Sequence, residues 1–234
     1  MKILAIDSSG LVASVAIVTE NKVLAEVTVN NKKTHSQTLL PMIDELVRMA
    51  DLDLQEMDAI AIAAGPGSFT GLRIGSATAK GLGLALNKPL ISIPTVDALA
   101  YNLYGTDRLI CPIMDARRNQ VYTGLYEYKH TEFCIVEHQK VAEIDELAKE
   151  INQRKRAVTF LGDGVEVYEE QLKQALTVPI DFAPLHVSKQ RAASVGALGI
   201  TYLLNGMTED ADLHEPIYLR LSQAERELAK KQGE

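Results

Sequence analysis

The chain has 234 residues, 47% of them apolar, and a formal net charge of −7. That length buries one large core or two small ones, and such an acidic balance argues against an independent grip on nucleic acid, which takes clustered Lys and Arg against phosphate. Cys111 and Cys134 are too few for a disulfide framework and point to a reducing cytosol; the first apolar run is too short for a signal peptide and no stretch reaches the ~18 apolar residues of a membrane span, so the expected location is cytoplasmic, with no membrane partner.

Residues 2–7, KILAID, read as an apolar strand ending in an acid, and two further β-rich runs after the turn SSGL predict an antiparallel meander. Residues 38–50 carry Leu39, Leu40, Ile43, Leu46, Val47 and Ala50 at helical spacing. Pro41 is comfortable only in a first turn, which starts this helix near Thr38. With Met42 and Met49 the apolar arc widens to about 180°, against the ~100° of a one-sided surface helix, and predicts a second burial surface on a partner. DAIAIAA, residues 58–64, predicts a fully buried parallel strand.

The glycine turn that follows, in AGPGSFTGLRIG, fits neither regular phosphate motif. Gly65, Gly67 and Gly71 give GxGxxxG, one residue longer than the dinucleotide fingerprint, and Gly71 is followed by Leu72 and Arg73, not by Lys and Ser or Thr. Beyond it, Gly71, Gly75, Ala79 and Gly83 recur every fourth residue of a predicted helix. Each helical glycine costs about 1 kcal/mol relative to alanine, so the row needs an offsetting close approach. The protein's own sheet and a partner's backbone are both open as that neighbour; the methionine-bearing face beside it favours the partner. The expected interface is Leu39, Met42, Ile43, Leu46 and Met49 on the first helix and Gly71, Ile74, Gly75, Thr78, Ala79 and Leu82 on the second. A short strand, LISI, follows.

From residue 109 the pattern begins again. LICPIMDARRNQVYTGLYEY repeats strand, acid, turn, strand, with Asp115 where the first copy has Asp7; AVTFLGDG echoes AIAIAAGPG, and AASVGALGITYLLNG is matched with the small-residue helix SATAKGLGLALN. The expectation is an α/β fold of two duplicated halves: residues 1–103, residues 104–220, and a charged tail over 221–234.

Candidate chemistry is sparse. Asp7, Ser8 and Ser9 at a strand end could orient a metal-bound water or meet phosphate, although an Asp/Ser turn is the commoner use of these residues. His35, just before the first helix, could approach that turn, and Asp115 is its counterpart in the second half; together these five form a possible remnant of a nucleotide site. No two histidines stand four apart on a helix, none has a cysteine at ligand spacing, and no GxSxG occurs. No metal site and no catalytic set is expected.

ILAIDSS, HSQTLLPMI, AGPGSFTGLRIG, PIMDARRNQVY and EPIYLR, in order from residue 3 to 220, resemble the TsaB (YeaZ) family of bacterial tRNA threonylcarbamoyladenosine synthesis. The resemblance implies the actin-like ATPase superfamily (ASKHA) fold, two duplicated domains with mixed sheets flanked by helices around a cleft. It also implies a partner, TsaD, the related transferase. TsaD's metal-binding histidine pair, laid over this chain, falls on Thr95 and Leu99, while His35 stands where TsaD has a further site histidine. The resemblance therefore implies a non-catalytic subunit that forms a heterodimer with TsaD, works beside the small ATPase TsaE, and forms a homodimer when alone. It would meet tRNA only through the complex, which uses ATP, and hold no cofactor tightly. An active kinase or ATPase of the same superfamily, using Asp7 and Asp115, is the alternative; a metallopeptidase reading founders on the absent ligands.

Overall fold

The computed structural model describes residues 1–31 and 34–220. The first sheet holds β1 (Lys2–Asp7), β2 (Val12–Thr19), β3 (Val23–Asn30), β4 (Ala59–Gly65) and β5 (Leu90–Pro94), in the order β3-β2-β1-β4-β5. β1, β2 and β3 form the expected antiparallel meander, and β4 and β5 extend it parallel to β1. Such parallel strands need crossover helices; α1 (His35–Ala50) and α2 (Phe69–Leu86) supply them. β1 and β4 are covered on both faces, which is why they read as nearly unbroken apolar runs.

The second sheet repeats this plan strand for strand. β6 (Leu109–Asp115), β7 (Gln120–Lys129), β8 (Glu132–Glu143), β9 (Val158–Leu161) and β10 (Ile180–Phe182) run β8-β7-β6-β9-β10, with α4 (Ile144–Arg154) and α5 (Gly164–Ala175) as crossovers. The likeness reaches single hydrogen bonds. Asp7 Oδ1 accepts the amide of Ser9 at 2.9 Å, and Asp115 Oδ1 accepts that of Arg117 at 2.8 Å. β4 ends on a glycine of positive φ, Gly65 at 127°, and β9 is followed directly by another, Gly162 at 103°. A Cβ on either would lie 2.2 Å from a carbonyl oxygen, of Ile217 or Ile113, so no other residue fits.

The repeat order corrects one expectation. The counterpart of α2 is α5, not the small-residue helix α6 (Ala192–Leu204), which follows β10 as α3 (Thr95–Ala100) follows β5. These two final helices cross over. Ala192, Val195, Leu198 and Ile200 of α6 pack on Ile3, Ala5, Ala16, Ala61 and Ile91 of the first sheet. Val96, Leu99 and Ala100 of α3 pack with Ile110, Met114, Tyr122 and Tyr126 of the second. Small residues in α6 mark close approach, Gly196 onto Val18 and Gly199 onto Ala61, and do not mark its place in the repeat.

α1 begins at His35, not near Thr38, and Pro41 lies inside it. The ring of His35 is bonded to Gly10 O at 2.8 Å, which holds the first turn. Leu39, Met42, Ile43 and Leu46 pack on the sheet on either side of the proline, offsetting its missing backbone bond.

The largest correction concerns the expected interface. Leu39, Met42, Ile43 and Leu46 of α1 and Gly71, Gly75 and Ala79 of α2 are buried in the protein's own interior. The glycines let α2 lie directly on the β1–β2 turn: a Cβ at Gly71 would sit 2.1 Å from Ser8 O, and one at Gly75 2.3 Å from Ser8 Oγ. The internal neighbour thus accounts for that face. Met49 is exposed, and Ile74, Thr78 and Leu82 are half-buried, Ile74 and Leu82 packed against the same core. The charged tail lies outside the described residues. Among the described residues no helix is long and apolar enough to cross a membrane.

Candidate functional site

A cavity of about 460 Å³ opens between the two halves where the strand ends β1, β4, β6 and β9 meet the N-terminus of α2. Crevices at the carboxyl ends of parallel strands are the usual ligand sites of α/β sheets. Of the five residues read as a possible nucleotide site, Ser9, His35 and Asp115 line this cavity; Asp7 and Ser8 stand behind its wall.

Asp7 faces inward. Its Oδ1 accepts both the amide and the hydroxyl of Ser9, at 2.9 and 2.6 Å. Burial pushes its carboxyl up to about 6, against the pull of the Ser9 bonds and of His35. Ser8 donates its hydroxyl to Gly71 O at 2.9 Å. Both residues are therefore satisfied from within. His35 is different: Nε2 donates to Gly10 O, and Nδ1 is buried with no hydrogen-bond partner among the described residues.

The opposite wall is the β6–β7 turn. Asp115 accepts from Tyr168 Oη at 3.2 Å and pairs with Arg117 at 3.1 Å. Its amide donates to Asp163 Oδ1, whose carboxyl is raised chiefly by burial. Arg117, Arg118 and Asn119 are three consecutive non-glycine residues in the left-handed region, at φ 65°, 60° and 59°. Asn tolerates that conformation; for each arginine it costs roughly 1–2 kcal/mol.

A strap closes one end. Beyond α6, Glu209 pairs backbone to backbone with Leu90 at the edge of β5. His214 is buried, with Nε2 against Ser76 Oγ at 2.9 Å and Nδ1 against Glu209 Oε1 at 2.8 Å. Ser, His and Glu in this order have the connectivity of a hydrolase triad, but Ser76 is only 5% exposed and lies within α2, so the set fastens the strap. Lys80 Nζ donates to the carbonyls of Asp212 and His214, and Ile217 N to Ala64 O. Tyr218 stacks on Phe69 at 4.7 Å, and Arg220 reaches the second half, donating to Ala116 O.

Arg117, Asp163 and Arg220 belong to the cleft wall and were not among the residues singled out from sequence. Arg117 and Arg220 stand within PIMDARRNQVY and EPIYLR, yet nothing local in either stretch says that the second returns to the β6–β7 turn. Thr95 and Leu99, where the TsaD pair would fall, are both buried: the Thr95 hydroxyl accepts the Gly65 amide at 3.1 Å, and Leu99 packs in the core. Among the described residues no group of three or more His, Cys, Asp or Glu could hold a metal ion.

The family model described as TsaD, tRNA N6-adenosine threonylcarbamoyltransferase, matches residues 22–228. The chain is 36% identical over 228 residues to the tRNA threonylcarbamoyladenosine biosynthesis protein TsaB of Bacillus subtilis, covering 96% of each chain. The solved structure of YeaZ from Pseudomonas aeruginosa superposes with a TM-score of 0.79 at 28% identity, covering 93% of this chain and 99% of that one. ROK hexokinase from Thermus thermophilus, at 13% identity and a TM-score of 0.50 over 88% of this chain and 100% of its own, shares the fold alone. The two mixed sheets, their repeated order and these likenesses together make this chain a member of the TsaB (YeaZ) family, with the actin-like ATPase fold.

Proposed function

We propose that this chain serves the synthesis of threonylcarbamoyladenosine in tRNA as a non-catalytic partner of a TsaD-type transferase, acting through protein–protein contact. Its relatives' role in that synthesis supports the coarser statement. The observation that carries the finer one is Gly81. It lies in the interior of α2, and an added Cβ there would meet no atom of the described residues within 4 Å. Unlike Gly71 and Gly75, it has no neighbour among the described residues to offset the roughly 1 kcal/mol it costs the helix. Around it lie exposed Ala77 and Leu84 and half-buried Thr78, with exposed Met49 on the neighbouring helix, while Ile74 and Leu82 turn in against the core. A bare helix stripe of this kind suits another backbone laid closely against it.

In this reading TsaD covers the outer side of α2, a homodimer forms through the same side when TsaD is absent, and TsaE joins the assembled pair in the cytoplasm. ATP is consumed by the complex, and this chain holds no cofactor tightly. The packed side chains of Thr95 and Leu99 support a subunit without its own metal chemistry. Gly81→Leu should leave the fold intact by circular dichroism and weaken TsaD binding by about 10-fold or more, the effect of roughly 1.4 kcal/mol of overpacking. Undiminished affinity in a titration followed by light scattering would place the contact elsewhere.

The nucleotide alternative has one observation in its favour: Ser9, His35 and Asp115 do share a cavity. The inward-facing Asp7 and Ser8 weigh against it. Titrating the isolated chain with ATP and Mg²⁺ separates the readings, since stoichiometric micromolar binding would favour the alternative.

A further inference from the structure

Residues 116–119 join β6 to β7 at the mouth of the cleft. Nothing inside the molecule calls for two arginines in this left-handed turn. Arg117 is 86% exposed, and its ion pair is to Asp115 beside it. Arg118 is exposed, and among the described residues its side chain makes no hydrogen bond or ion pair. The left-handed backbone closes the β6–β7 hairpin, with Ala116 N donating to Gln120 O, Gln120 N to Arg117 O and Ile144 N to Asn119 O. That geometry calls for a turn and not for arginine side chains, whose left-handed cost is then carried for another use. The charges are local and opposed to the whole: the chain as a unit carries −7. A third guanidinium, Arg220, is fastened to the turn through Ala116 O. Across the mouth, α2 begins with no acidic residue in its first turn, and its positive end is capped by the neutral Ser68 hydroxyl, which accepts the Gly71 amide. Asp115 and Asp163 are the carboxylates of this wall; Asp115 offsets Arg117, and Asp163 is turned onto the Asp115 amide.

We propose that the Arg117–Arg118 turn, backed by Arg220, binds the phosphate backbone of RNA lying across the cleft mouth. The proposal rests on the reading above that the chain works within a tRNA-modifying complex. The exposure of both arginines decides the kind of ligand. A small phosphate compound enclosed in the cavity would bury its cations, whereas a strand crossing the mouth meets them at the lip. Guanidinium groups suit that contact because their paired donors match phosphate oxygens. Such contacts position the RNA and carry no sequence preference.

The test uses the complex with TsaD. Its assembly is read first by light scattering, then labelled tRNA is titrated by fluorescence anisotropy over a series of salt concentrations. Arg117→Glu with Arg118→Glu should lower tRNA affinity at least about 10-fold at low salt and reduce the slope of log K against log salt by about 2. Arg117→Lys with Arg118→Lys should keep most of the slope. If the double reversal disturbs folding or assembly, Arg118→Glu alone carries the test, with a slope reduced by about 1. Unchanged affinity and slope in a folded complex overturn the proposal. So does a variant that loses inorganic phosphate, or an acidic peptide, while binding tRNA as before. Should the unaltered chain fail to assemble with TsaD, the partner reading falls, and the same titration on the chain alone at low salt decides the arginines separately.

Discussion

Burial carries the Asp7 carboxyl up to about 6 because the group sits behind the cleft wall, and the Ser9 bonds only partly offset the loss of water. The sign follows from linkage. A carboxyl raised above its unfolded value of 3.8 favours the fold while protonated. That contribution is complete below about 4 and is lost as pH rises through about 6, for a total near 3 kcal/mol. Asp7→Asn keeps an oxygen to accept from Ser9 and removes the buried charge. It should raise stability at pH 7 by up to about 3 kcal/mol, a Tm increase of roughly 6–12 °C, and give no gain near pH 4. Thermal unfolding of both proteins across that range checks it; equal Tm values at pH 7 would show the carboxylate to be better solvated than its surroundings suggest. A carboxylate held at a loss, next to a His35 whose Nδ1 has no partner among the described residues, marks this wall as more than packing.

At the scale of an element, α2 has two faces made of the same small residues with opposite uses. Gly71→Ala should cost the upper end of the usual 1–3 kcal/mol for overpacking, about 3 kcal/mol, because the clash is with the Ser8 carbonyl and backbone must move. Gly81→Ala should do the reverse and stabilise the isolated chain by up to about 1 kcal/mol, because open space surrounds the new methyl and alanine is the better helix former. Denaturant melts of the two variants read both signs at once. A destabilised Gly81→Ala would mean that the helix is held by something other than its inner face. A regular four-residue spacing of small side chains announces close approach but carries no direction. The direction came from Ser8, which lies more than sixty residues earlier in the chain and presses on Gly71 and Gly75.

The whole molecule is tied together by segments that leave their own half. α6 covers the first sheet, α3 packs on the second, and the strap returns from α6 over α2 to end at the β6–β7 turn. The halves should therefore unfold as one unit, with a single calorimetric transition. His214→Ala strips buried Ser76 of its partner, leaves half-buried Glu209 with the Ser92 bond alone, and opens a void. It should cost about 3 kcal/mol, a Tm fall of roughly 6–12 °C. Hydrogen exchange at the Glu209 and Ile217 amides should accelerate more than exchange in β1. Equal protection in both proteins would mean that the ring only fills space.

Much of this was open to the sequence. Strand type, the meander, the buried β4 and the duplicated strand-acid-turn-strand units are written in local periodicity and turn chemistry, which depend on neighbours within a few residues. The TsaB resemblance, carried by long ordered motifs, gave the fold and family that the likeness to the Bacillus subtilis protein and the repeated sheet order bear out. What local pattern could not settle was which surface a small-residue face meets, which helix is the partner of which in the repeat, and which distant residues share the cleft. Gly75 on Ser8, α6 on the first sheet, and Arg220 against Ala116 are contacts between segments far apart in the chain, and only the folded backbone decides them.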